Sequence, residues 1–227
     1  MRIRQIILSL AIAAAFAGVT AAHESVDGGD ISRVNKSISI DDGSRAGSLE
    51  TVNGSISIGA NAVIESAETV NGSVRAGDGV HAGSLETVNG GISTGQRAAI
   101  SGGVETVNGG ISLGDDAEVL GNAETVNGSL KLAPRAHVGG QIITHNGDIT
   151  LYDDARVDGG ILVKKSRNSW FSGNQRTPVI TIGPGAQVKG ELVFERDVEL
   201  KVHASAKIGA VKGATVTRFG GAMQVER

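Results

Sequence analysis

Five glutamates recur at Glu50, Glu68, Glu86, Glu105 and Glu124, each opening the same pentapeptide, ETVNG. Carboxylates at a fixed interval suit a divalent cation shared between successive oxygens, with Ca²⁺ as the guest. Ordinary solvation, raised carboxyl pKa values or hydrogen bonds to the neighbouring threonines account for them more simply, and no cofactor or resident metal is assigned. A second set of groups is concentrated rather than periodic. Lys164, Lys165, Arg167 and Arg176 fall within residues 164–177, a segment without an acid that also carries the adjacent aromatics Trp170 and Phe171. Cations beside exposed rings suit an anionic glycan or a membrane surface. The alternative is that both rings fold back onto the protein.

Catalytic groups are present but dispersed. His81, His137, His145 and His203 are separated along the chain, and His145 replaces the valine of the pentapeptide in the variant copy THNG. The pairs Asp41–Asp42, Asp115–Asp116 and Asp153–Asp154 occupy equivalent places in the repeat without converging, which reads as solvated corners rather than the paired carboxylates of a glycan-cleaving enzyme. No catalytic residue is assigned.

The positioning elements follow from the spacing. Asn35, Asn53, Asn71, Asn89, Asn108, Asn127 and Asn146 are separated by 18, 18, 18, 19, 19 and 19 residues, the mark of stacked units sharing one core. Within a period Val52, Ile58, Ile64, Val70, Ala76, Ala82 and Val88 are six apart, so each unit has three sides. The expected fold is all-β: a single-stranded parallel β-solenoid of triangular coils, 18–19 residues each and about nine in number. In SISI, residues 55–58, Ile56 and Ile58 alternate with serines and point inward. The residue added in the longer coils falls on the third side, as a bulge. Asn–Gly marks a corner through its tolerance of positive φ, and stacked corners align the asparagines into an amide ladder. Thr51 and its equivalents form a single column, short of the two that a flat ice-binding face would need.

Composition agrees with a narrow lumen: 34 glycines, one Trp, one Tyr and four Phe. The chain opens with MRIRQIILSLAIAAAFAGVTAA, a basic start, a short apolar run and a small-residue cleavage site, which reads as an export signal over residues 1–22. The mature chain then begins at His23 with 19 basic and 24 acidic residues, a charge of about −5. That balance argues against nucleic acid, and nothing beyond the signal is expected to anchor the chain in a membrane. Without cysteine there is neither a lipid-attachment site nor a disulfide. The expected organisation is signal 1–22, solenoid 23–163, insertion 164–177, final coils 178–211 and a tail or cap 212–227.

Three resemblances bear on function. ETVNGSISI and its copies, over about residues 33–161, resemble the repeats of exported bacterial adhesins. ITIGPGAQVKGELV, residues 180–193, is similar to the coils of bactofilins, the polymer-forming cytoskeletal β-helices, over about residues 178–211. SIGANAVI, residues 57–64, resembles a hexad of the left-handed acyltransferases, whose activity would require a histidine in a cleft between subunits. The first two imply a non-enzymatic structural or adhesive solenoid of the bacterial envelope, periplasmic or at the cell surface, that sticks to itself end to end or to an envelope or host glycan. The alternatives are a bactofilin-like periplasmic polymer and a glycan-binding or glycan-modifying β-helix.

Overall fold

The structure is a computed structural model that describes residues 28–165 and 176–221. The signal read at 1–22, together with Arg167, Trp170 and Phe171, lies outside them. Every strand pairing is parallel, and the chain winds as a β-solenoid. The first side of each coil contributes one rung to a ten-stranded sheet that runs from Ile38–Ile40 and Ile56–Ile58 to Glu199–His203 and Val216–Phe219. Ten rungs make about nine turns. Register is strict: Ile38 pairs with Ile56, Ile56 with Val74 and Val74 with Ile92, each 18 residues on. Ile92, Ile111, Leu130 and Ile149 then follow at 19. The insertion stretches one step, Ile149 to Ile180, to 31 residues without losing the pairing.

The core is a file of aliphatic side chains. Ile56, Val74, Leu130, Ile149 and Ile180 on the first side, and Leu49, Ala67, Leu85, Val104 and Ala123 on the third, are wholly buried. Each fully buried branched side chain is worth about 1.5–3 kcal/mol of transfer free energy, and one coil alone could bury none of them.

Four expectations are corrected. On the third side threonine points inward and valine outward: Thr51, Thr69, Thr106 and Thr125 are at most 1 % exposed, whereas Val52, Val70 and Val88 are half-buried on the outer face. The hydroxyls tolerate burial because each donates to a backbone carbonyl of the coil before. Thr69 donates to Gly54, Thr87 to Gly72, Thr106 to Gly90 and Thr125 to Gly109, at 2.8–2.9 Å. They are therefore unavailable to the glutamates.

Asn–Gly does not supply positive φ. A left-handed residue recurs instead at the corner between first and second sides, at Gly43, Asn61, Gly79, Arg97, Asp116, Arg135, Asp154 and Gly185. The glycine of ETVNG is needed for close stacking instead. A Cβ on Gly72, Gly109 or Gly128 would come within 2.0 Å of the glycine carbonyl one coil below.

The added residue sits in the corner before the third side, not on it. Val63–Asn71 and His81–Asn89 run unbroken through that corner, joining second and third sides into one 16-stranded sheet. One coil later the strand divides into Ala99–Ile100 and Val104–Asn108. Ala82 pairs with Ile100 while Leu85 pairs with Val104, so Ser101–Gly103 absorbs the extra residue. A bulge on the side itself would have turned its inward residues outward.

Finally, the coils do not stop at residue 211. Val211–Lys212 and Val216–Phe219 add strands to both sheets.

Candidate interaction surface

The asparagines stand in single file. Asn53 Nδ2 donates to Asn35 Oδ1, Asn71 to Asn53, Asn89 to Asn71, Asn108 to Asn89, Asn127 to Asn108 and Asn146 to Asn127, all at 2.8–3.0 Å. Because every amide gives its N–H backward, the last member, Asn146, is left with an open carbonyl oxygen. The Arg196 guanidinium fills it, donating to Asn146 Oδ1 and, at 3.0 Å, to the His145 carbonyl. Arg196 lies two rungs beyond, along the register Thr144, Val163, Phe194, so it reaches back over the place where the insertion leaves the stack.

The same arginine secures the returning chain. Its other terminal nitrogen donates to the Arg176 carbonyl at 3.3 Å, while Arg176 donates to Asp148 Oδ2 at 2.7 Å and the Val179 amide to Asp148 Oδ1 at 2.8 Å. On the departing side Lys164 lies 3.6 Å from Glu124, and the Lys165 amide donates to Glu195 at 3.1 Å. Both stems of the insertion are thus fastened to the coil. Three of the basic residues read as a binding patch, Lys164, Lys165 and Arg176, belong to this neck. Lys164 and Arg176 spend their charge on Glu124 and Asp148.

Glu50, Glu68, Glu86, Glu105 and Glu124 are paired rung to rung on the outer face of the third side. Burial between its neighbours, and then the Glu50 carboxylate alongside, push the Glu68 carboxyl above its ordinary range. Among the described residues, no three histidine or acidic side chains gather as a metal site.

The aspartate corners form a ladder of alternating charge. Arg97, Asp116, Arg135 and Asp154 share one left-handed column, and Arg135 grips Asp116 through two bonds of 2.7 Å. That grip holds the Asp116 carboxyl below its usual range. A second ladder crosses the second side. His137 lies 3.2 Å from both Glu118 and Asp158, and Lys189 lies 2.8 Å from Asp158. The Lys189 ammonium, with the imidazole next, holds Asp158 below its ordinary range.

The remaining histidines do not converge. His81 lines an open groove of about 480 Å³ beside Glu65, Ala99 and the 55 %-exposed Leu120. His203 bonds Ser205 and meets the Phe219 ring edge-on. Burial, then Lys164, lowers the His145 pKa.

Sequence reasoning missed Arg196 and the two charge ladders. The corner ladder was within reach, since residues 97, 116, 135 and 154 are each 19 apart; the second, through His137, Asp158 and Lys189, keeps no such interval. Arg196 was not, because its register depends on an insertion that carries no repeat.

The arrangement defines a parallel β-solenoid repeat protein. The chain matches no family model, no curated protein and no solved structure. Its likeness to adhesin repeats and bactofilin coils therefore rests on the coil motif alone.

Proposed function

We propose that this chain is an exported, non-catalytic rod of a bacterial cell envelope, with a structural and adhesive role, and that residues 164–177 are its contact segment. The supporting observation is the clasped neck. A solenoid that loses no register across a 31-residue step, and that fastens both stems through Lys165, Arg176, Asp148 and Arg196, is suited to presenting a segment rather than accommodating a stray insertion. Long excursions from an economical scaffold are where binding concentrates. The partner that fits is an anionic glycan of the envelope or of a host surface, met by Arg167 with the rings of Trp170 and Phe171.

The test pairs fractionation of cells with sedimentation of the purified protein onto peptidoglycan sacculi and acidic glycan beads. Export places the protein outside the cytoplasm, and Trp170→Ala/Phe171→Ala abolishes retention. A cytoplasmic protein, or a double variant retained as well as the parent, overturns the reading.

A further inference from the structure

One end of the stack carries a charge in a core column. The inward file of the first side runs Ile40, Ile58, Ala76, with Leu113, Leu132, Leu151, Ile182 and Val202 further along. Its next member by register, opposite Val202, is Arg218. Along the neighbouring corner a different series holds. The carbonyls of Ala62, Ala98, Ala117, Ala136, Ala155 and Ala186 each accept the N–H of the next coil, from His81, Glu118, His137, Arg156, Gln187 and Lys207, at 2.8–3.0 Å.

Ala206 holds the same place one coil on, since Lys207 pairs with Gln187. Its carbonyl takes its hydrogen bond from Arg218 Nη1 at 3.4 Å, and the same nitrogen donates to the His203 carbonyl at 3.1 Å. The guanidinium stands where the amide of a further coil would stand. The strand that bears it follows its neighbour after 16 residues, Leu200 to Val216, rather than the 18–20 of the uninterrupted coils before it. Phe219, opposite His203, packs edge-on to that ring at 5.2 Å.

We propose that this coil is a built stop against strand addition, directed at a second copy of the chain. A copy docking its Ile38–Ile40 strand on Val216–Phe219 would have to enclose the Arg218 guanidinium in an aliphatic lumen and strip both its carbonyl partners. Inward-pointing charge is a general defence of open sheet edges, and solenoids need a distinct terminal coil to remain soluble. The end-to-end association expected from the sequence is closed off at this face. This inference stands on Arg218 and does not depend on where the protein resides or what it binds.

The test installs Ser39→Cys and Thr217→Cys. These residues occupy equivalent outward positions at opposite ends of the first side and would come to about 4.8 Å in a head-to-tail pair, within disulfide reach. With Arg218 in place, oxidation gives no head-to-tail dimer. With Arg218→Val, dimers and longer species form, and self-association by sedimentation equilibrium tightens about a hundredfold, the scale set by relieving an unpaired enclosed charge. Circular dichroism establishes that the variant is folded; if it is not, Arg218→Met, which keeps the long stem, is judged by the same criterion. A cross-link formed while Arg218 is present, or a folded Arg218 variant no more associated than the parent, overturns the proposal.

Discussion

Replacing threonine by valine at two neighbouring rungs of one column should have opposite effects. Thr125 and Thr144 are both 0 % exposed. The Thr125 hydroxyl donates to the Gly109 carbonyl at 2.9 Å; the Thr144 hydroxyl has no partner among the described residues. In Thr125→Val the lost hydrogen bond and the stranded carbonyl cost about 1–2 kcal/mol. The new methyl returns about 0.8 kcal/mol, leaving a net destabilisation of about 0.2–1.2 kcal/mol. In Thr144→Val no bond is lost, a hydroxyl enclosed without a partner is removed, and the methyl adds to the core, for a net stabilisation of about 1–2 kcal/mol. At about 2–4 °C per kcal/mol for a chain of this size, calorimetry should record melting temperatures moving several degrees apart on either side of the parent. Urea midpoints should order the three proteins identically. If both variants fall together, or Thr125→Val is as stable as the parent, the hydroxyl-to-carbonyl column is not what permits threonine inside.

Arg97 adopts φ +56° in a column that elsewhere uses Gly43, Gly79 and Gly185, so Arg97→Gly should stabilise by about 1 kcal/mol, measured by urea titration. Glu68 binds its proton more tightly in the folded state than in the unfolded chain, so its ionised form opposes folding at neutral pH and ceases to as pH falls through the carboxylate range. Glu68→Gln should raise the melting temperature at neutral pH, with the gain vanishing in acid. Asp158 has the opposite sign: its contribution is present above the unfolded carboxyl range and lost as pH drops through the lowered folded value. Asp158→Asn should therefore destabilise at neutral pH and become neutral in strong acid. Arg196→Ala opens the last rung of the asparagine ladder and the neck together, and should cost about 1–3 kcal/mol while speeding proteolysis within residues 164–177.

The coil was readable because its evidence is local and repeated. Ile56 and Ile58 flank a serine in one copy after another, and seven asparagines keep their interval, so period, side and ladder follow from the letters. The face of Thr51 was not legible because β-branching suits either face of a strand, and what admits its hydroxyl to the core is the Lys36 carbonyl 15 residues earlier, a backbone atom that composition does not reveal. Gly54 and its equivalents were assigned the wrong reason for the same cause. Their constraint comes from the coil beneath, not from their own dihedral angles. Of the surface residues, Lys164 and Arg176 were identified by charge, but their engagement by Glu124 and Asp148 depends on coils 40 and 28 residues away. Arg196 and Arg218 act across the ends of ladders, and an end is where a repeating pattern has no further copy to compare.

The placing of the nineteenth residue at Ser101–Gly103 has a consequence for how such a gene can change. An indel of one codon is absorbed at a bend, and a duplication or loss of a whole period returns every inward side chain to its file. Length is thereby uncoupled from sequence elsewhere in the molecule. Each such step changes the length of the shaft by about 4.8 Å, while the clasp at Asn146 and the Arg218 bonds to the preceding coil remain unaltered.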